Sequence, residues 1–323
     1  MVKIVILFLV VIFFAINMGG SGVAPSFAVN YCSKIVTRKK TVLLFGIFVV
    51  LGAFLLGHNV TKTLGGGLLP KQYIDINVAL IILVSASLGL FVANILKIPQ
   101  STSWATVFSI VGSGLAIGDV NFIKVAQVIP FCILLPVVSY FLTLVFHKSI
   151  YPPRFKNLWL YEKFFINEKT VKKLSIAASC YVAFAIGSNN VANAVGPLAA
   201  AGIIKNTSAG LFGIGAIFII GAIYFGKDTM CTVGQEVVPF GLISATFVSF
   251  ITATLLIFAS IMGIPQSLVQ LNAASIFAIS HNKNGFYHTA SHKTTRKIFF
   301  VWLVSPVIAF VSSFFLTGAI KWF

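Results

Sequence analysis

Acidic residues are scarce in this chain: only six of 323 positions are Asp or Glu, and charged residues of both signs make up 9%. The six, Asp75, Asp119, Glu162, Glu168, Asp228 and Glu236, are scattered, and none sits in the middle of an apolar run. Paired-carboxylate catalysis therefore has no candidate constellation. The five histidines show no HExxH or other ligand spacing, and the four cysteines (Cys32, Cys132, Cys180, Cys231) show no metal-ligand spacing, so neither a metal nor a cofactor is expected. Short alternating strand-like segments are also missing, which argues against a membrane barrel.

What is present is hydrophobic sequence, 58% of the chain with a mean hydropathy of +1.01, in continuous stretches such as Val78 to Leu96 and Ile298 to Leu316. About 20 apolar residues suffice to cross the hydrocarbon layer, and a spanning helix satisfies its own backbone. The expected class is an all-α integral membrane protein. A net charge of +17 would suggest nucleic acid in a soluble protein, but here Lys and Arg lie between apolar runs and read as orientation signals. The first 28 residues, a basic start, an apolar run and Pro25-Ser26-Phe27-Ala28, have the outline of a secretory signal. A second copy of this region deep in the chain argues against cleavage.

That copy belongs to an internal duplication. Ala15 to Ala24 (AINMGGSGVA) is echoed by Ala183 to Ala192 (AFAIGSNNVA), about 168 positions later. Gly57 to Pro70 aligns without a gap to Gly226 to Pro239, Ile98-Pro99-Gln100-Ser101 to Ile264-Pro265-Gln266-Ser267, and Pro136 to Tyr140 to Pro306 to Phe310. Four matches in one order divide the chain into a first repeat (1–146), a basic linker (147–173) and a second repeat (174–323).

Matching loops carry opposite charge bias. The loop with Lys34, Arg38, Lys39 and Lys40 corresponds to one with Lys205 alone, and the loop near Asp119 and Lys124 corresponds to the basic stretch from His281 to Lys297. Two inverted-topology repeats, each with an odd number of crossings, produce this pattern. Five spans per half are expected, near 3–31 (interrupted), 41–57, 77–96, 103–117 and 122–146, then 174–201 (interrupted), 208–225, 242–261, 267–280 and 298–319. The short segments 103–117 and 267–280 read as half-helices of re-entrant hairpins. The linker is expected in the cytoplasm and both termini outside.

Two pairs of polar breaks carry the chemistry. In the first helix of each half lie Gly19-Gly20-Ser21-Gly22 and Gly187-Ser188-Asn189-Asn190, with Asn193 one turn on. Glycine and small polar residues there either free backbone groups to bind an anion or let helices pack closely. Repetition favours the site, and the candidates are Gly20, Ser21, Gly22, Ser188, Asn189, Asn190 and Asn193. The second pair, Pro99-Gln100-Ser101-Thr102-Ser103-Trp104 and Pro265-Gln266-Ser267, stops one helix and caps the next. Gln100, Ser101, Thr102, Ser103, Gln266 and Ser267 offer more donors than capping needs. Neutral donors suit an oxyanion that must bind and then leave.

Gly187 to Ala194 (GSNNVANA) resembles the GANDxANA signature of the inorganic phosphate transporter (PiT) family, and Pro99 to Ser103 is similar to its PxSTT motif. The resemblance covers essentially the whole chain and implies an inverted-repeat fold with substrate held where the two signatures meet. The signature acid associated with sodium coupling is replaced by Asn190 and Gly22, Trp104 stands where phosphate carriers usually have His, and the second PxSTT copy reads Pro265-Gln266-Ser267-Leu268-Val269. The pattern is similar to the sulfate permease branch of the family.

Chemistry leans the same way, because fully deprotonated sulfate accepts hydrogen bonds without donating, whereas protonated phosphate gains from a carboxylate. The expected function is a cation-coupled permease of the cytoplasmic membrane for a tetrahedral oxyanion, sulfate ahead of phosphate. Its partners are the anion, a proton or sodium ion and the lipid bilayer, with no nucleic acid; a homodimer is left open. Asp228 and Glu236 are the candidate coupling acids. A passive anion channel, a membrane enzyme and a non-transporting scaffold are the rival classes.

Overall fold

The computed structural model describes residues 2–95, 101–162, 167–237 and 241–321. The chain runs through α1 (Val2–Cys32), α2 (Arg38–Lys62), α3 (Ile76–Ile95), α4 (Thr102–Ile117), α5 (Phe122–Ile150), the single turn α6 (Leu158–Leu160), α7 (Glu168–Asn190), α8 (Ala192–Ala200), α9 (Thr207–Val237), α10 (Leu242–Ile261), α11 (Leu268–Asn284), α12 (Phe286–Ser291) and α13 (Lys293–Lys321). No strand occurs among the described residues. Seven helices among them are long and apolar enough to cross a membrane. The outward faces carry Leu9, Phe13, Leu55, Ile123, Val145, Leu303 and Phe315, all exposed, as a surface that meets lipid rather than water must.

Helix ends follow the polar punctuation. Ser101 and Ser267 each accept the backbone N–H three residues on, that of Trp104 and that of Gln270, and so cap α4 and α11. Asn121 caps α5 and Asn167 caps α7 in the same way. At 16 and 17 residues, α4 and α11 extend about 24–26 Å, short of the roughly 30 Å hydrocarbon layer.

Helices of one half pack against helices of the other. α1 lies along α9 and α7 along α2; α4 lies along α13 and α11 along α5. At the first crossing pair the backbones approach so closely that only glycine fits. A Cβ on Gly19 would overlap the carbonyl of Phe218, and one on Gly221 that of Ile16. A Cβ on Gly187 would overlap the carbonyl of Val49, and one on Gly52 that of Phe184. In the sequence alignment Gly19 is matched with Gly187 and Gly52 with Gly221, and the two crossings are made alike, glycine against a backbone carbonyl on both sides. Without water to squeeze out, such small-residue contacts are what holds helices together in a bilayer.

Three expectations about helix bounds are corrected. α1 runs unbroken through Gly19–Gly22 and contains Pro25; Gly19 and Gly20 serve the α9 crossing, and Gly22 faces Ile186 and Phe45. α2 and α9 run past 57 and 225, to Lys62 and Val237; α2 ends in a π-turn over Thr63–Gly67, where Gly65 lies against the Gly196 carbonyl. In the second half the interruption is present, at Val191 between α7 and α8, but Val191 keeps helical torsions (φ −61°, ψ −32°), so it is a kink.

Candidate functional site

The C-terminal turn of α7 and the start of α8 lie against the starts of α4 and α11. Asn189, fully buried, donates through Nδ2 to the Ser260 hydroxyl and the Ile264 carbonyl, both at 3.0 Å, and accepts the Gln266 backbone N–H on Oδ1 at 3.0 Å. One side chain thereby fixes the non-helical segment between α10 and α11. Ser188 reinforces it through a 2.9 Å bond with Ser260.

One turn further, Asn193 donates to Thr102 Oγ1 and Ser103 Oγ, both at 3.3 Å, tying α8 to the start of α4. The Ser103 hydroxyl donates to the Gln266 carbonyl at 3.1 Å, so the segment preceding α11 touches the first turn of α4. The two helix starts capped by Ser101 and Ser267, with the buried amides Asn189 and Asn193 at the α7–α8 kink, form one cluster. Each helix start contributes unpaired N–H groups and about half a positive charge. Two such starts around neutral amides make an environment for an anion.

Several polar atoms at this cluster are buried without a protein partner: Asn190 Oδ1, Asn193 Oδ1, both side-chain polar atoms of Gln266, Gln270 Oε1 and Trp104 Nε1. Leaving a buried polar group unpaired costs about 1–3 kcal/mol, so each of these atoms has bonding capacity left for a polar ligand or water. An amide presents its oxygen or, turned by 180°, its two N–H donors; Gln266 is uncommitted at both ends.

Among the described side chains no carboxylate reaches the cluster. Asp75 accepts bonds from Asn77 and Val78 at the start of α3, Asp119 follows α4, and Glu168 pairs with Lys172 at the opposite end of α7 from Asn189. No group of three or more His, Cys, Asp or Glu able to hold a metal ion occurs among the described residues.

Of the sequence candidates, Ser101, Thr102, Ser103, Ser188, Asn189, Asn193, Gln266 and Ser267 converge here; Asn190 ends α7 next to Asn189, with its Oδ1 unpartnered. Gln100 lies outside the described residues. Gly20, Ser21 and Gly22 are placed elsewhere: Gly20 faces Phe225 and Gly221, Ser21 is exposed and bonded back to the Met18 carbonyl, and Gly22 faces Ile186 and Phe45. Asp228 and Glu236 fall within α9 and not in a loop after it, and their side chains lie outside the described residues. Ser260, Gln270 and Trp104 Nε1 were not among the candidates. Gln270 had a signal, the Ser267-x-x-Gln270 capping pattern; Ser260, in an apolar helix, had none.

A polytopic helical membrane protein, with short helices starting at a buried polar cluster that holds no described carboxylate, is in class a membrane transport protein. The family model of the phosphate transporter family matches residues 18–313, and the chain belongs to that family. It is 34% identical over 316 residues to the sulfate permease CysP of Bacillus subtilis (strain 168), covering 95% of this chain and 85% of that protein. Its fold is similar to the solved structure of the sodium-dependent phosphate transporter, with a TM-score of 0.85, 21% identity and full coverage of both chains.

Proposed function

We propose that this chain is a secondary transporter that carries an inorganic tetrahedral oxyanion, sulfate ahead of phosphate, across the cytoplasmic membrane together with a cation. The observation that carries this reading is the meeting of the α4 and α11 starts at Asn189, Asn193 and Gln266, with unpartnered buried polar atoms and no described carboxylate. Sulfate has only acceptors to offer at neutral pH and is matched by N–H and O–H donors alone. Phosphate, the substrate in the family's name, is the second reading, and a protonated phosphate would gain from amide oxygens such as Asn190 Oδ1.

The architecture proposed for this work is two repeats, 1–146 and 174–323, inserted upside down about the basic 147–173 linker, with the linker inside and both termini outside. Its support is the paired packing of α1 on α9 and α7 on α2, and of α4 on α13 and α11 on α5. Alternating access then amounts to one set of paired helices rocking on the other around a fixed site. Asp228 and Glu236 remain the proposed proton acceptors. The test is uptake of labelled anion into proteoliposomes under imposed proton and sodium gradients. Accumulation above the outside concentration excludes a passive channel, whereas equilibration under every imposed gradient would contradict cation-coupled transport.

A further inference from the structure

Two cysteines from opposite halves of the chain meet along the α1–α9 pair. Cys32 is the last residue of α1, and Cys231 lies in α9. Both are free thiols and half-buried. The Cys32 thiol donates to the carbonyl of Met230, the residue before Cys231, at 3.5 Å, and the two thiols are themselves in hydrogen-bonding contact. The other two cysteines stand apart and buried, Cys132 in α5, where it donates to the Pro265 carbonyl, and Cys180 in α7.

The helices that carry the pair are fixed on each other by backbone contacts rather than by mobile side chains. Gly19 abuts the Phe218 carbonyl, Gly221 the Ile16 carbonyl, and Thr229 donates to the Gly20 carbonyl at 2.9 Å. The two sulfurs are therefore brought together by the packing of α1 on α9, as a disulfide requires of its partners. They also share access, because Cys32 and Cys231 both line an open cavity of about 520 Å³ with Tyr31, Lys34, Val36 and Thr37. An ammonium group near a thiol favours its thiolate, the reactive form, and Lys34 supplies one in this cavity.

We propose that Cys32 and Cys231 are a disulfide-forming pair, a covalent clasp between the first half of the chain and the second that closes when a low-molecular-weight disulfide such as glutathione disulfide is abundant. The Cys32 proton is engaged by the Met230 carbonyl, so Cys231 attacks first. Its thiolate adds to one sulfur of the oxidant and expels a thiolate, which leaves a mixed disulfide on Cys231. Cys32 then gives up its proton to solvent, attacks the Cys231 sulfur and expels the second thiolate. Two protein thiols are oxidised to one disulfide while one small disulfide is reduced to two thiols. This assignment is independent of which anion is carried. With the Lys34–Lys40 loop on the proposed cytoplasmic side, the bond is responsive rather than constitutive, because that compartment keeps thiols reduced.

The test treats the purified full chain with glutathione disulfide and maps its thiols by proteolysis and mass spectrometry. The expected product is a peptide pair joined through Cys32 and Cys231, free of glutathione and separated by dithiothreitol, with Cys132 and Cys180 unmodified. Cys32→Ser removes the second step, so a glutathione adduct on Cys231 should become at least about tenfold more abundant than in the parent. Cys231→Ser should leave Cys32 unmodified at the same exposure, and it keeps the assignment testable if Cys32→Ser fails to fold. Persistent separate adducts on Cys32 and Cys231 of the parent would overturn the proposal. So would two thiols still free after a treatment that oxidises the denatured chain, or a disulfide already complete in protein alkylated on extraction from unstressed cells.

Discussion

Asn189 holds Gln266 in place: its Oδ1 takes the Gln266 backbone N–H at 3.0 Å while its Nδ2 bonds the Ile264 carbonyl two residues earlier, also at 3.0 Å. A side chain from the α7 signature therefore does what a neighbouring strand would do elsewhere, satisfying an irregular backbone segment buried in the membrane interior. The segment so held starts α11 and presents the uncommitted Gln266 amide.

Asn189→Ala removes three bonds from a buried location and leaves the Gln266 N–H and Ile264 carbonyl without partners. At about 1–3 kcal/mol for each orphaned group, thermal unfolding in detergent should move down by several degrees and transport should be lost. Unchanged stability would show that water replaces the amide.

Asn190 and Thr102 contribute to the proposed anion site with less structural duty. Asn190→Ala and Thr102→Ala should therefore lower uptake about tenfold or more, which corresponds to about 1.4 kcal/mol of lost anion binding, while the melting temperature stays within a few degrees. Full activity in both variants would remove these residues from the site.

The glycine crossings predict a sharp contrast. Gly187→Ala and Gly221→Ala place a methyl group into the carbonyls of Val49 and Ile16, and should abolish a folded, monodisperse product. Gly213→Ala, with nothing within 4 Å of its added Cβ, should express as the parent does. Size-exclusion profiles of the three variants check this.

The inverted arrangement is tested by cysteine labelling in intact cells. Positions near Lys39 and Lys293 should be shielded from an impermeant reagent, and positions near Lys71 and Lys205 should react. Labelling of Lys39 and Lys205 positions from one side contradicts the inversion.

If protons drive uptake, Asp228→Asn or Glu236→Gln should flatten the pH dependence of net uptake without abolishing exchange of the anion. Uptake that requires sodium and ignores an imposed pH gradient would contradict this role.

Much of the polar cluster was legible because its parts are chemically unusual for a membrane span: Asn189 and Asn193 in an apolar helix, and serines after Pro99 and Pro265. The duplication told where to look twice. Gly20 and Gly22 lie in an unbroken helix; glycine looks the same in a sequence whether it opens the backbone or admits a neighbour, and only the presence of Phe225 and Gly221 against Gly20, and of Ile186 and Phe45 against Gly22, distinguishes the two. Both α2 and α9 run past their expected ends at 57 and 225, because the more polar residues that follow Gly57 and Gly226 stay helical. Ser260 was invisible because its role depends on where the amide of Asn189 falls, a tertiary fact with no local trace.

The most direct test of a neutral oxyanion site is the initial rate of labelled sulfate accumulation in proteoliposomes, measured with and without tenfold excess of phosphate. The account predicts accumulation above the outside concentration that phosphate reduces by less than about twofold. No sulfate accumulation, alongside sodium-dependent accumulation of phosphate, would contradict it.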